Sequence, residues 1–219
     1  MKTKIITIVI TALALSAVNA YAKQTLIFEH TTEDMTPIVR AALEKVVDKD
    51  LKIVFKKGTY KFLPDYALSK YRAITNHGNG MKKIAFALEN FDSVEIEGNN
   101  AEFIFHGQMA PFQLYNNNKV NVSNLTIDWD IPFTFVSEII AINKEKGYRD
   151  VKPWTGSHTW KVEKNQIRFP DVDGFNYEYL GSTLAWEKEK KRVVHGGFDL
   201  KSTPKKVDDL GNGVLRIYE

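Results

Sequence analysis

The sequence predicts an all-β protein: a coil of parallel strands, that is, a parallel β-helix, followed by a smaller antiparallel β-region. Two segments that align at a constant offset predict the coil. Short alternating segments joined by polar or glycine-containing turns predict the second region. A single amphipathic helix near the N-terminus is expected to cover the open end of the coil.

The first 22 residues have the composition of a signal peptide. Lys2 and Lys4 precede an apolar run over 5–18, and Ala20 and Ala22 occupy the small-residue positions of a cleavage site. The run is shorter than the ~20 apolar residues of a membrane span. We therefore expect residues 1–22 to direct export to the periplasm or the exterior, with no membrane attachment after cleavage.

The composition of the remaining chain excludes several classes of function. Cleavage leaves 219 − 22 = 197 residues with 30 − 2 = 28 basic and 27 acidic side chains, a net charge of +1. That balance gives no support to nucleic-acid binding. The absence of cysteine excludes disulfides, a thiol nucleophile and thiolate metal sites. A chain of this length can bury a sizeable core without such cross-links.

The one predicted helix covers 37–49. Thr36 is its expected N-cap, and Pro37 suits the first helical position, where a missing N–H costs nothing. Apolar residues follow at helical spacing: Ile38, Val39, Ala42, Leu43, Val46 and Val47. The next segment, with alternating Ile53 and Phe55 before Gly58, is predicted to be a strand that leads into the coil without belonging to its repeat.

The repeat itself is predicted from two segments, 86–100 and 112–126, which align at an offset of 112 − 86 = 26 residues. The matched pairs are Phe86 with Phe112, Leu88 with Leu114, Asn90 with Asn116, Val94 with Val120 and Ile96 with Val122. In a β-helix the aliphatic residues stack inward, and Asn90 and Asn116 bond along the stack at a turn. Two antiparallel hairpins that resemble each other are the alternative; the matching turn asparagines favour the β-helix.

From Pro132 the pattern changes to antiparallel β-structure. The segments 159–169, 192–200 and 210–219 read as hairpins, the second turning at Gly196–Gly197. They predict a small barrel or sandwich over 132–219, inserted into or following the coil of 23–131. Because about two rungs are visible and the chain ends within a predicted strand, we expect it to be the front part of a longer protein.

The segment "TIDWD" (126–130) is the sharpest candidate site. If Ile127 faces inward, Asp128 and Asp130 point outward on one side and Trp129 points inward or toward the groove wall. Their Cα atoms would then lie about 6.6 Å apart, close to the ~6.5–9.5 Å carboxyl separation of inverting glycosidases. Asp128 and Asp130 are therefore candidates for acid–base work or substrate contact, against the alternative that they only solubilise a strand end.

The histidines and tryptophans carry weaker signals. No two histidines have the helical spacing of a zinc motif, so no metal site is predicted. His77 and His106 lie beside turn glycines, where they could reach a sugar hydroxyl or serve only as turn residues. Four tryptophans, in the second half of the chain, could stack on sugars, but the core of the small β-domain is the favoured interpretation: Trp129, Trp154, Trp160 and Trp186.

Taken together, the leader, "IVFKKGTYKF", the 26-residue offset, "NLTIDWDIPF" and the antiparallel segment resemble the exported bacterial α-1,3-galactosidases of glycoside hydrolase family 110. More distantly the chain is similar to the pectate-lyase and polygalacturonase group. The resemblance implies a right-handed parallel β-helix with a small β-barrel insertion. It also implies exo-hydrolysis of terminal α-1,3-linked galactose from a glycan, with inversion and without metal or cofactor.

The resemblance places the catalytic carboxylates on later rungs, downstream of Glu219, so it assigns no catalytic residue to this chain. Asp128, Trp129 and Asp130 are expected to line the substrate groove. Two other functions stay open: a non-catalytic β-helix module that binds glycans, and a polysaccharide lyase or polygalacturonase-like enzyme. The near-neutral charge and the lack of an acidic ligand cluster argue against the lyase.

Overall fold

The computed structural model describes residues 23–74, 78–154, 159–169, 182–194, 200–201 and 204–218. The predicted signal peptide, His77 and the predicted Gly196–Gly197 turn lie outside the described residues.

The described chain is all-β apart from one helix, α1 (Met35–Leu43). The strands are β1 (Gln24–Phe28), β2 (Asp50–Phe55), β3 (Thr59–Phe62), β4 (Leu68–Ile74), β5 (Gly78–Glu89), β6 (Ser93–Phe105), β7 (Ala110–Tyr115), β8 (Lys119–Trp129), β9 (Ser137–Asn143), β10 (Tyr148–Pro153), β11 (Lys161–Glu163), β12 (Gln166–Arg168), β13 (Ser182–Thr183), β14 (Trp186–Glu187), β15 (Arg192–Val193), β16 (Leu200–Lys201), β17 (Lys206–Gly211) and β18 (Val214–Tyr218).

The predicted repeat is confirmed as parallel strand pairing. β5 pairs with β7 and β6 with β8, and every aligned aromatic or aliphatic pair named from the sequence is a register pair of these ladders. At the turn between them, Asn116 Nδ2 donates to Asn90 Oδ1 over 2.8 Å, and both residues have positive φ. Parallel pairing excludes the alternative of two similar antiparallel hairpins.

The segment predicted to be a lead-in belongs to the same stack, so that prediction was wrong. β2 and β3 pair in parallel with successive halves of β6, Asp50 opposite Ser93 and Thr59 opposite Glu102, an offset of 93 − 50 = 43 residues. The excess over the other offset is 43 − 26 = 17 residues, which equals the length of the antiparallel hairpin Leu68–Ile84. The hairpin hides the repeat from a search at one fixed spacing.

That hairpin, formed by β4 and the first part of β5, folds back on the stack. Ile84 is the point of change, because it pairs antiparallel with Leu68 and parallel with Ala110. Ile84, Ala85 and Phe86 are all buried, which breaks the alternation of a straight strand. The bend lets Lys70 and Arg72 reach Glu89, at 2.7 and 2.9 Å.

The helix begins earlier and ends earlier than predicted. Asp34, not Thr36, is its N-cap: Asp34 Oδ1 accepts from Thr36 N over 2.9 Å, while the Thr36 side chain is buried. The helix ends at Leu43 rather than residue 49, and the amide of Val47 donates instead to Gln24 Oε1 over 3.1 Å. Within the described residues no helix has the length and apolarity to cross a membrane.

The core of the stack contains a row of aromatic rings. Met35 and Val39 of α1 bury their side chains in it, as expected for a covering helix. Two register pairs stack ring on ring, with centroids 4.8 Å apart for both Phe62–Phe105 and Phe86–Phe112. Phe55 meets Phe103 edge-on, with the centroids 4.6 Å apart. The two stacked distances match the ~4.8 Å spacing of paired strands, so aromatic rings at equivalent positions of neighbouring strands stack on one another.

The second region is antiparallel, as predicted, but the hairpin predicted over 192–200 is wrong, because β15 pairs with β14 and β16 pairs with β13. β17, β18, β10 and β9 form one sheet in that order, and β11 and β12 form a hairpin that turns at Lys164–Asn165, both with positive φ. The predicted glycine-bracketed hairpin after residue 210 is the β17–β18 pair. The core of this region is separate and mostly aliphatic: Val151, Ile167, Phe169, Val207, Leu215 and Ile217.

The tryptophans do not form that second core, so the favoured interpretation was wrong for most of them. Trp160 packs against its edge, whereas Trp129 packs against the core of the stack. Trp154 and Trp186 are 51% and 60% exposed. The aliphatic side chains on the inner faces of β10, β17 and β18 fill the space in which indole rings were expected.

Candidate functional site

The candidate residues Asp128, Trp129 and Asp130 lie at the end of β8, on the outermost described rung. Ile104 and Phe105 of β6 are the register partners of Asp128 and Trp129. Because Phe105 is buried, Trp129 shares the inward direction, and its ring lies 5.6 Å from that of Phe105. The inward prediction for Trp129 is therefore confirmed.

Trp129 also fixes the backbone beside the site. Its Nε1 donates to the carbonyl of Gly107 over 3.2 Å, and its ring makes an edge contact with Phe133 at 6.4 Å. The indole thus ties the end of β8 both to the turn after β6 and to the segment that leads into the antiparallel region. It works as an anchor of the site, with its ring only partly available to a ligand.

Asp128 points outward, as predicted, and is exposed. Its Oδ1 accepts the backbone amide hydrogen of Trp129 over 2.8 Å. Among the described residues no other hydrogen bond to this carboxylate is present, so its second oxygen is available to a ligand.

Asp130 is exposed too, but its carboxylate is already bound. His106 Nδ1 lies 2.8 Å from Asp130 Oδ2 and 3.1 Å from Oδ1, and the amide of Ile131 donates to Oδ1 over 2.7 Å. The two aspartates lie two residues apart and both face outward, but their carboxylates have different partners. Asp128 presents a free oxygen, whereas Asp130 holds an imidazole.

A third carboxylate lies on the same outward face. Glu102 of β6 is the register partner of Thr126, one step before Asp128 on the outward side. Thr59 Oγ1 on β3 donates to Glu102 Oε2 over 3.1 Å. Neither Glu102 nor the pairing of His106 with Asp130 was predicted from the sequence.

A second offset in the sequence indicates the strand positions of these residues, although not the contacts that their side chains make. "AEFIFHG" (101–107) aligns with "LTIDWDI" (125–131) at 125 − 101 = 24 residues, and this is the register of the second halves of β6 and β8. The offset of 26 residues holds only for the first halves of β6 and β8.

A corner between the strand halves produces the change of offset. Between paired positions, β6 has three residues, 98–100, where β8 has only Asn124. Asn99, Asn100 and Asn124 take positive φ there. A Cβ at Gly98 would lie 2.5 Å from the Asn124 carbonyl oxygen, so a side chain cannot fit without a shift. This corner determines which residues of β8 lie opposite which residues of β6.

The corner is held by Glu97. Asn124 Nδ2 donates to both carboxylate oxygens, at 3.0 and 2.9 Å, and the Asn99 amide donates to Oε1 over 2.8 Å. The hydrogen bonds from Asn99 and Asn124 lower the pKa of Glu97 from its ordinary value. The register behind Asp128 and Asp130 is thus supported by an ionised carboxylate.

Metal chemistry has no visible support in the described part of the chain. Within the described residues no group of three His, Asp or Glu side chains is arranged to hold a metal ion. His30 has a structural position, since its ring lies against Gly58 and makes an edge contact with Tyr60 at 5.8 Å. His158 and His195 lie outside the described residues, as His77 does.

Comparison with known proteins gives one family match and several relatives. Residues 136–219 match the family described as GLAA-B beta-barrel domain I. The chain is 28% identical to an α-1,3-galactosidase A of Shewanella woodyi over 168 residues, which are 75% of this chain and 27% of that protein.

Two further relatives carry the same kind of name. The chain is 29% identical to an α-1,3-galactosidase A of Streptomyces avermitilis over 84% of this chain and 32% of that protein. It is 26% identical to an α-1,3-galactosidase B of Bacteroides thetaiotaomicron over 72% of this chain and 28% of that protein. The chain therefore spans about three tenths of the length of these relatives.

Proposed function

We propose that this chain is the N-terminal portion of a glycosidase of glycoside hydrolase family 110. The enzyme would remove terminal α-1,3-linked galactose from glycans. The names of the relatives support the reaction, and the match at 136–219 supports the family. The chain spans only part of each relative. The activity named for those longer proteins is therefore proposed for this chain and not observed in it.

The proposed architecture is a right-handed parallel β-helix over 23–131, followed by a barrel-like region over 132–219. Parallel pairing at offsets of 26 and 43 residues, a stacked aromatic core and the Asn90–Asn116 ladder support the β-helix. The family match, which begins at residue 136, supports the second boundary. Export through the signal peptide 1–22 is part of the proposal and has its support in the leader sequence alone.

The proposed site rests on the outward face at the end of β6 and β8. There, Asp128 presents a free carboxylate oxygen beside the hydrogen-bonded pair of Asp130 and His106. A carboxylate that accepts hydrogen bonds from sugar hydroxyls fits this position. We propose that Asp128, Trp129 and Asp130 line the substrate groove.

The proposed chemistry is inversion by two carboxylates, one protonating the leaving oxygen and one activating water. Asp130 is poorly suited to either role while it accepts from His106 and Ile131. The catalytic pair is accordingly proposed for the rungs that, in the family, follow the part matched by this chain.

The site is tested by titrating the 219-residue chain with an α-1,3-linked digalactoside, and the reaction by assaying galactose release with the longest protein that the source gene encodes. Asp128→Asn keeps the shape of the side chain and should weaken binding about tenfold, the expected cost of one hydrogen bond to a charged group. Glu145→Gln, in the exposed turn between β9 and β10, is the matched control and should bind like the parent chain. Equal binding by parent and Asp128→Asn would remove Asp128 from the site.

A glycan-binding module without catalysis is the second candidate. The exposed rings of Trp154 and Trp186 favour it, since exposed indoles stack on sugars, and so does the engagement of Asp130, which leaves no second free aspartate beside Asp128. Binding of the digalactoside without release of galactose by that longest protein would support this candidate. Release with inverted anomeric configuration, measured by NMR of the first product, would support the hydrolase.

A further inference from the structure

The hydrogen bond between His106 and Asp130 determines which nitrogen of the imidazole can meet a ligand. A carboxylate only accepts hydrogen bonds, so Nδ1, at 2.8 Å from Asp130 Oδ2, must carry the hydrogen. In the neutral ring Nε2 is then a hydrogen-bond acceptor. Among the described residues no hydrogen bond to Nε2 of His106 is present, and the side chain is 32% exposed.

Both partners are held in place from behind. The amide of Ile131 donates to Asp130, which orients the carboxylate. Gly107, next to His106, has φ of 64° and accepts from Trp129 Nε1, which fixes the turn that carries the imidazole. A side chain oriented in advance by such contacts loses little entropy when it binds a ligand.

The position of His106 relative to Asp128 suits two neighbouring hydroxyls of one sugar. Asp128 pairs with Ile104, two residues before His106. One strand spacing across and two residues along place the Cα atoms of Asp128 and His106 about 8 Å apart. Asp128 offers a carboxylate oxygen and the neutral form of His106 offers Nε2, so both can accept from hydroxyl groups.

We propose that His106 is a further sugar-contacting residue of this site, which accepts a hydroxyl hydrogen at Nε2, and that Asp130 is the positioning residue that holds it in the required tautomer. This inference rests on the proposed function and deepens it. Asp130 then acts through His106 and takes no direct part in proton transfer to the substrate.

The tautomer can be measured without any ligand. Long-range ¹H–¹⁵N NMR of the 219-residue chain, with His106→Asn to identify the signals, should show the hydrogen on Nδ1 of His106. In Asp130→Ala the preference for this form should be lost. A hydrogen on Nε2 in the parent chain would overturn the inference whatever the chain binds.

The sugar contact is tested by a matched substitution. Asn at position 106 keeps a donor near the Nδ1 position for Asp130 but has no atom at the Nε2 position, so His106→Asn should stay folded and bind the α-1,3-linked digalactoside about tenfold more weakly. Thermal unfolding of the variant serves as the fold control. Affinity equal to the parent's would assign His106 a structural role only and overturn the inference.

The two proposals fail in different ways. If the parent binds the digalactoside, Asp128→Asn weakens binding and the His106 signals do not move on titration, the inference fails while the proposed function stands. If the parent has the Nδ1–H tautomer but binds no galactoside, the proposed function fails, and the sugar contact with it.

Discussion

The stack and the antiparallel region are built from different kinds of contact. In the stack, equivalent strand positions lie over one another, so aromatic rings stack at the strand spacing and asparagines form a ladder at a turn. The antiparallel region has a small, mostly aliphatic core and, in addition, a charged pair between Asp150 and Arg216. The stack therefore depends on the register of its strands, whereas the antiparallel region depends on individual side-chain pairs.

The largest effect is expected from the core of the stack. Phe103 is fully buried and contacts the rings of Phe55, Phe62 and Phe86. Phe103→Ala should lower the free energy of unfolding of the stack by about 3–5 kcal/mol, because it removes buried apolar surface and leaves a cavity. Hydrogen exchange should increase in β2, β6 and β8.

Ile217→Ala is the matched change in the second core, where Ile217 is 2% exposed. It should increase exchange in β10 and β18 and leave the stack protected. If each substitution loosened both regions equally, the two cores would form one cooperative unit and the comparison would be wrong.

The next largest effect is expected from the charged pair of the antiparallel region. Arg216 donates to both oxygens of Asp150, over 2.7 and 2.9 Å, and these bonds lower the pKa of Asp150. Asp150→Ala should lower the free energy of unfolding of this region by about 1.5–3 kcal/mol, since a charge-assisted contact is lost in a largely buried place. Urea denaturation followed by Trp fluorescence measures it.

An exposed pair is the control for that substitution. Glu163, paired with Lys161 at 2.8 Å, is 52% exposed, so Glu163→Ala should cost much less than Asp150→Ala. Similar losses for Asp150→Ala and Glu163→Ala would show that burial adds nothing to the first pair.

The asparagine ladder separates backbone conformation from side-chain bonding. Asn116 has φ of 51° and donates to Asn90. Asn116→Ala should cost about 1–2 kcal/mol more than Asn116→Gly, because alanine disfavours the left-handed region. The loss in Asn116→Gly, about 1 kcal/mol, then measures mainly the hydrogen bond. Equal stability of Asn116→Gly and the parent would mean that the ladder contributes nothing.

The smallest effect concerns pH. Hydrogen bonds from Lys23 and Lys52 lower the pKa of Glu95 from 4.5 to about 2. Because the folded-state pKa is lower than the unfolded one, the contribution is complete above pH 4.5 and is lost as the pH falls toward 2. Since the Glu95 side chain is 34% exposed, we expect less than about 1 kcal/mol.

Acid titration of stability measures this contribution, and Glu95→Gln is the control because glutamine does not titrate in that range. The difference in stability between the parent and the variant should shrink between pH 4.5 and pH 2. A difference that stays constant with pH would show that Glu95 contributes by packing and not by charge.

The sequence predicted those parts of the fold in which a repeated residue pattern lies on two strands that pair with each other. The offset between Phe86 and Phe112 predicted a parallel ladder, and the alternation around Trp129 predicted its inward direction. The rung of β2 and β3 was missed because the inserted hairpin lengthens its offset to 43 residues. The N-cap was misplaced because Asp34 and Thr36 are both good capping residues, and the choice depends on which side chain the core buries.

Of the candidate site, the sequence by itself determined that Asp128 faces outward and Trp129 inward, because successive side chains of a strand point to opposite faces. Only the tertiary structure decided that Asp130 is bound by His106 and that Asp128 is free. That difference depends on the register of β8 on β6 after the corner at Gly98, and such a register is set by the turns and the packing of distant residues. The outward direction is a local property of the strand, whereas the partner of each carboxylate depends on contacts between rungs.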